Sequence, residues 1–364
     1  MPASVRREIG QLLIAGFDGY QVSPELQSLA REFGLGGVIL FARNVVEPEQ
    51  VAELAFEAAR LTPQLPCWVS VDQEGGRVAR LKSPFTEWPP MATLGRSRDV
   101  ALAERFAQAL AAELKSVGIT LDYAPVLDIH TNPKNPVIGD RALAETADHV
   151  ARLGAAIVRA LQGEGIAACG KHFPGHGDTS TDSHVELPLV EHPPARLREV
   201  EFAPFRAAIE AGVATIMTAH VLVPALDEQR PASLSRAIVH DLLREELNYD
   251  GVILSDDLEM KAIAATYEVP SAAVQAIQAG CDGVLICSGH HDTQAAALEA
   301  IIHAVEEERL PLTRVNDALI RQRRAKERFL ASPVASRPLA GRALRAMLGR
   351  DEHRAIADEM ARFL

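Results

Sequence analysis

Eight short β-branched segments alternate with amphipathic stretches between residues 11 and 288, and polar side chains gather where those segments end. These observations predict an α/β fold, a (β/α)8 TIM-type barrel with extra C-terminal helices. The segments are apolar almost without interruption, so both faces of their sheet should be covered, as in a parallel sheet. Eight such units in about 280 residues is the count and length of a closed barrel. An open doubly wound sheet is the rival fold, weakened because no glycine-rich phosphate loop follows the first segment.

The strands are expected at 11–17, 36–41, 67–72, 119–128, 166–173, 215–221, 251–256 and 283–288. Helical periodicity covers 47–61, 101–117, 143–163, 194–211, 235–247 and 269–279, and Gly118, Gly165, Gly212 and Gly280 supply C-terminal stops before the next strand. Two further helices are expected near 292–307 and 312–331. The stretch SPVASRP (332–338) then reads as a connector to an arginine-rich helical tail at 339–364. The expected division is a catalytic barrel over 1–331 and a helical extension over 332–364 packed on it.

The 364 residues carry 37 basic and 49 acidic side chains, a net charge of −12, which argues against a nucleic-acid grip or a polybasic membrane anchor. Apolar runs are strand-sized, so no membrane span is expected. The N-terminal run Leu12–Phe17 is shorter than a signal core and is followed by Asp18, which points to a cytoplasmic protein. Cys67, Cys169, Cys281 and Cys287 have no metal-type spacing and lie in or beside apolar runs; free buried thiols are expected.

The densest polar stretch is KHFPGHGDTSTDSH, Lys171 to His184, which two glycines and Pro174 break into a loop after the fifth strand. Three histidines and two aspartates fall within 13 residues there. They could ligate a metal, since His172, His176, Asp178, Asp182 and His184 are all competent ligands, but the usual metal-site spacings are missing and no metal or other cofactor is expected. Proton transfer is the better reading. Asp182 and His184, two apart in an extended loop, point the same way; the carboxylate can fix one imidazole nitrogen and leave the other to donate or accept.

Four more positions belong to the same end of the predicted barrel. In GVILSDDLEM (251–260) a buried strand places Asp256 at the rim as a pocket carboxylate, while Asp257 reads as the N-cap of a short helix. In VDQEGGRVARL (71–81) Asp72 ends a strand and could accept two hydroxyl hydrogen bonds from a sugar. In NPKNPVIGDRAL (132–143) Arg141 could clamp a polar ligand group or form a surface ion pair. His220, ending the sixth strand, either lines the pocket or satisfies buried backbone.

With these motifs in hand, the chain resembles glycoside hydrolase family 3, and within it the β-N-acetylglucosaminidase branch. The matching strings are GGVILFARN (36–44), VDQEGGRV (71–78), KHFPGHGDTSTDSH followed by Pro188, MTAHV (217–221), PASLS (231–235), GVILSDDLEM and AGCDGVLIC (279–287). The resemblance implies a barrel acting on terminal β-linked N-acetylglucosamine, with Asp256 as nucleophile and His184, assisted by Asp182, as acid/base. It implies sugar contacts for Asp72, Arg141, Lys171, His172 and His220. An aromatic usually stands two residues after the arginine; here Arg141-Ala142-Leu143 departs from that.

The expectation is therefore a retaining exo-β-N-acetylglucosaminidase, a monomer of the single-barrel cytoplasmic type. It would trim anhydromuramyl-containing peptidoglycan fragments during cell-wall recycling. Its partner would be a small carbohydrate, with neither nucleic acid nor membrane involved. The alternatives are a β-glycosidase or an N-acetylglucosaminide phosphorylase of the same family, substrate-assisted hydrolysis using Asp256 and Asp257, a metal-dependent barrel hydrolase, and a barrel kept only for binding.

Overall fold

A computed structural model describes residues 6–183, 186–330 and 338–364. His184 and most of the connector expected at 332–338 lie outside the described residues.

The strands are β1 (Leu13–Ala15), β2 (Gly37–Leu40), β3 (Trp68–Val71), β4 (Gln73–Gly75), β5 (Val78–Ala79), β6 (Leu121–Asp122), β7 (Ala167–Phe173), β8 (Thr215–Thr218), β9 (Val252–Asp257) and β10 (Gly283–Ile286). Eight of them close a parallel barrel in the order β1-β10-β9-β8-β7-β6-β3-β2, while β4 and β5 form a separate antiparallel pair above it. The (β/α)8 barrel with extra C-terminal helices is thus the fold. The strand expected over 119–128 contributes only Leu121–Asp122 to the ladder. Pro125 has no N–H to give there, and beyond it contact with β7 continues only as an isolated bridge from Val126 to Lys171.

Most helices fall where the periodicity places them, as with Pro48–Ala59, Val100–Ser116, Ala147–Gly163 and Val269–Ala279. The stretch expected as one helix over 194–211 is two, Pro194–Glu199 and Ala203–Glu210. Two helices, Pro24–Phe33 and the short Ala92–Ser97, were not expected, although Ser23 caps the first by accepting from the Leu26 N–H at 3.1 Å, Pro24 opens it and Gly34 stops it in the left-handed region. Among the described residues no helix is long and apolar enough to cross a membrane.

Two cores result. Apolar side chains between strands and helices form the larger one. Ile14, Ile39, Trp68, Leu121, Cys169, Leu254 and Leu285 fill the barrel interior. The helix Leu312–Leu330 closes the N-terminal end of that interior: Phe329 packs on Trp68 at 6.4 Å, and the Trp68 indole N–H donates to Gln322. Lys326 Nζ reaches Gln11 Oε1 and the Gly36 carbonyl, each at 2.6 Å. The tail helices Gly341–Arg345 and Asp351–Ala361 lie against the barrel's outer helices, burying Leu344 and Met360. All four cysteines are free and buried.

Candidate active site

The C-terminal ends of β3, β7, β8, β9 and β10 meet at one cavity of about 210 Å³. Asp72, Arg141, Lys171, His172 and Asp256 all line it, as do His176, Ser183 and Asp257. Residues as far apart in sequence as Asp72 and Asp257 are brought together because every parallel strand of a barrel ends on the same face.

Two irregularities decide which side chains enter. Between β7 and β8 the register advances three residues on one strand, Gly170 to Phe173, against two on the other, Ile216 to Thr218. Between β9 and β10 it advances from Leu254 to Asp257 against Gly283 to Leu285. Consecutive residues of a regular strand point to opposite faces; an extra residue re-aims one of them. Lys171 and His172 therefore share the cavity, and so do Asp256 and Asp257.

One wall is a charged network. Lys171 Nζ sits 2.8 Å from Asp72 Oδ1 and 2.6 Å from Glu74 Oε1. Glu74 also takes two hydrogen bonds from Arg141, Nε to Oε2 at 2.9 Å and Nη2 to Oε1 at 2.8 Å. Burial alone would push the Glu74 carboxyl up, yet Lys171 and Arg141 hold it far below the usual range, and its charge raises both of theirs. Arg141 is thus neither a surface ion pair nor a free clamp. Glu74 was missed in the sequence; the signal lay in its place two residues after Asp72, beside Gly75 and Gly76. A Cβ at Gly75 would stand 2.7 Å from Met91 Cε, and at Gly76 2.9 Å from Pro90 Cα. Those glycines let the β4–β5 turn close down and seal Glu74 beneath it.

His172 donates from Nδ1 to Asp128 Oδ2 at 2.6 Å, which fixes the tautomer and leaves Nε2 for the cavity its ring lines. Asp128, fully buried, also accepts from the His176 backbone N–H at 2.6 Å; burial pushes its carboxyl up, and His172 and His176 more than reverse that. The Thr179 hydroxyl donates to the His176 carbonyl at 3.1 Å, so its oxygen accepts from His176 Nδ1–H at 2.7 Å. His176 Nε2 then accepts from the Ser183 hydroxyl at 3.2 Å. Burial lowers His176 to about 4, so it is neutral at working pH.

Asp256 is half-buried with its carboxyl in the cavity, and its Oδ1 accepts the Asp257 N–H at 2.8 Å. Burial raises its pKa, but His172, His220, that N–H and Lys171 together hold it below the ordinary carboxyl range. It is an ionised carboxylate in a confined site, as a nucleophile must be. Asp257 corrects the expectation of a helix N-cap. It is the last residue of β9, the next helix starts only at Lys261 after Met260, and burial pushes its carboxyl up to about 7, with Glu259 and Asp256 adding to that.

His220 is buried beneath the site and is not among the residues lining the cavity. Its Nε2–H donates to the Asp257 carbonyl at 2.9 Å, and Nδ1 meets the Ser233 hydroxyl at 2.7 Å. It props the end of β9, the buried-backbone alternative of the two readings. Asp182 is half-buried in the loop, where its carbonyl accepts from the Glu186 N–H at 3.0 Å. His184 lies outside the described residues. Of the side chains read as possible metal ligands, His176 is taken up by Thr179 and Ser183 and Asp178 by Thr131 and His192, whereas His172 turns Nε2 to the cavity and His184 lies outside the described residues. Among the described residues no group of three or more such side chains could hold an ion.

A barrel whose strand ends present an ionised rim aspartate opposite a wall of paired carboxylates and cations is the layout of a glycoside hydrolase. The chain belongs to glycosyl hydrolase family 3: the N-terminal domain of that family matches residues 4–325. It is 44% identical over 262 residues to a β-hexosaminidase from Nitrosomonas eutropha, covering 70% of this chain and 74% of that one. A family 3 β-N-acetylglucosaminidase from Paenibacillus sp. superposes with a TM-score of 0.94 at 42% identity, covering 100% of this chain and 69% of that one. NagZ from Neisseria gonorrhoeae, in complex with N-trifluoroacetyl-D-glucosamine, gives 0.77 at 30% identity, covering 97% of each chain.

Proposed function

We propose that the protein is a retaining exo-β-N-acetylglucosaminidase. The observation that carries this is the pairing, in one cavity, of the ionised Asp256 carboxylate with the Asp72–Lys171–Glu74–Arg141 wall. That wall offers both donors and acceptors to sugar hydroxyls, and relatives sharing this barrel are β-hexosaminidases. Asp256 attacks the anomeric carbon and forms a glycosyl ester while the aglycone oxygen leaves with a proton from His184. The same imidazole then deprotonates the water that opens the ester, with Asp182 setting its tautomer. The usual retaining pair is two carboxyl groups about 5–5.5 Å apart; here the Asp182–His184 pair replaces one of them. The natural aglycone we propose is the anhydromuramyl part of peptidoglycan fragments processed in the cytoplasm, on the strength of the resemblance carried by the Lys171–His184 loop.

The test is trapping with a 5-fluoro N-acetylglucosaminyl donor. Mass spectrometry should find the sugar on the peptide that contains Asp256. An active enzyme that stays unlabelled would transfer the nucleophile's part to the substrate's acetamido oxygen. The diverged pKa values of Asp256 and Asp257 would suit such substrate-assisted hydrolysis. Hydrolysis of an anhydromuropeptide faster than chitobiose would support the proposed aglycone.

A further inference from the structure

We propose that Asp257 is the residue that reads the acetamido group on C2 of the sugar, its carboxyl donating a hydrogen bond to the acetamido oxygen. This rests on the hexosaminidase reading and extends it to a specificity-determining side chain. The argument begins with the extra residue in β9. Without it, Asp257 would face away from Asp256; with it, both carboxyls line the same cavity.

The Asp257 carboxyl is held in a fixed pose. Its Oδ1 accepts from the Glu259 N–H at 3.1 Å and from the Cys287 N–H at 3.2 Å, while the Asp257 carbonyl is gripped by His220 Nε2 and by the Met260 N–H. Both backbone donors fall on the same oxygen, which leaves Oδ2 to carry a proton. The charges facing it are Asp256 and Glu259 from its own strand and turn, with His220 behind its carbonyl and the Cys287 thiol across from β10. Burial and two neighbouring carboxyls favour the neutral acid, so Asp257 can donate where the ionised Asp256 can only accept.

Sugar chemistry selects the ligand group. The carbon bearing the acetamido group is bonded to the anomeric carbon, so whatever holds Asp256 in line with the anomeric carbon places that group within reach of the neighbouring carboxyl. The surroundings suit an acetyl methyl: Leu285 pairs with Asp257, Cys287 and Met260 bond it through their backbones, and all three side chains line the cavity. The hydroxyls farther round the ring meet the charged wall around Asp72 and Lys171.

The test compares aryl β-N-acetylglucosaminide with aryl β-glucoside, reading kcat/KM for each. Asp257→Ala should lower the first about 10–100-fold and leave the second within about threefold, since a polar site loses most against the substrate it was built to bond. Asp257→Asn, which keeps an oxygen for the two backbone donors and an NH2 for the sugar, should recover most of the loss. Where the glucoside is turned over too slowly to measure, the ratio of inhibition constants for N-acetylglucosamine and glucose gives the same comparison. In the wild type the preference for the acetamido sugar should fall as pH rises through about 7, and in Asp257→Asn it should stay flat. Equal loss on both substrates, or no loss on either, overturns the proposal. A wild type that shows no preference for the acetamido sugar overturns the hexosaminidase reading itself, and that arm is read before any variant is made.

Discussion

Glu74 binds Arg141 through two parallel hydrogen bonds, at 2.9 and 2.8 Å, and spends one of the same oxygens on Lys171 at 2.6 Å. One buried carboxylate thereby holds two cations that would otherwise repel across the cavity wall. Glu74→Gln keeps the shape and removes the charge, leaving Asp72 to balance both. Breaking a buried ion pair by deleting one partner costs about 3–5 kcal/mol. Denaturant unfolding of Glu74→Gln should show a loss of that order together with a raised KM. A loss below about 1 kcal/mol would mean that solvent already screens the cluster.

A second buried carboxylate fastens the tail. Glu113 accepts from the Thr86 N–H and hydroxyl at 2.9 and 2.6 Å, from the Gly349 N–H at 2.9 Å and from His353 Nδ1 at 2.8 Å. Burial raises its carboxyl, but His353, Thr86 and Gly349 bring it below the ordinary value. A lowered carboxyl stabilises the fold above its unfolded value, near 4.3, and the contribution disappears as pH falls through the folded value. Glu113→Gln should cost about 2–3 kcal/mol, sensitise residues 338–364 to proteolysis and leave kcat unchanged. A drop in kcat as large as the drop in stability would tie the tail to the chemistry instead.

The eight strands were legible because each is a nearly unbroken apolar run, and the site was half legible because polar residues end those runs. Asp72, Lys171, His172 and Asp256 could be picked from the sequence for that reason, each standing within two residues of the end of a strand. What a sequence period cannot encode is register. The extra residues in β7 and β9 were invisible, and with them the reason why Asp257 faces the cavity instead of capping a helix. Glu74 was hidden for a related cause: its partners are 67 and 97 residues away, and only barrel closure makes them neighbours. The helix Pro24–Phe33 is a different failure, since Ser23, Pro24 and Gly34 were all readable as start and stop signals.

Lys326 leads to a pH prediction. Burial lowers its amine to about 7, and its two hydrogen-bond partners, Gln11 and the Gly36 carbonyl, are uncharged. A base whose folded pKa lies below its unfolded value binds fewer protons in the native state over the interval between them. Stability should therefore climb as pH rises from about 7 towards the unfolded value near 10.4. Lys326→Met should flatten that climb, gaining most relative to wild type at or below pH 7 and least near pH 10. Parallel stability curves for the two proteins across that range would show that the amine is hydrated in the native state.

The acid/base assignment makes the sharpest kinetic prediction, because it depends on the leaving group. General acid catalysis is worth about 10²–10⁴ in rate when the departing oxygen is an alkoxide. A sugar leaving group has that character; a nitrophenolate departs without a proton. His184→Ala should therefore lose a factor in that range on a disaccharide and much less on the nitrophenyl glycoside, where water attack on the glycosyl-Asp256 ester becomes limiting. Azide, a small nucleophile that needs no deprotonation, should restore turnover of the nitrophenyl substrate and release glycosyl azide. Its anomeric configuration would separate double from single displacement: β product follows from two inversions, through the Asp256 ester or through the acetamido alternative, whereas α product would mean that azide displaced the leaving group in one step. Equal loss on both substrates, with no rescue, would remove the imidazole from the proton transfer and return that role to another group of the cavity.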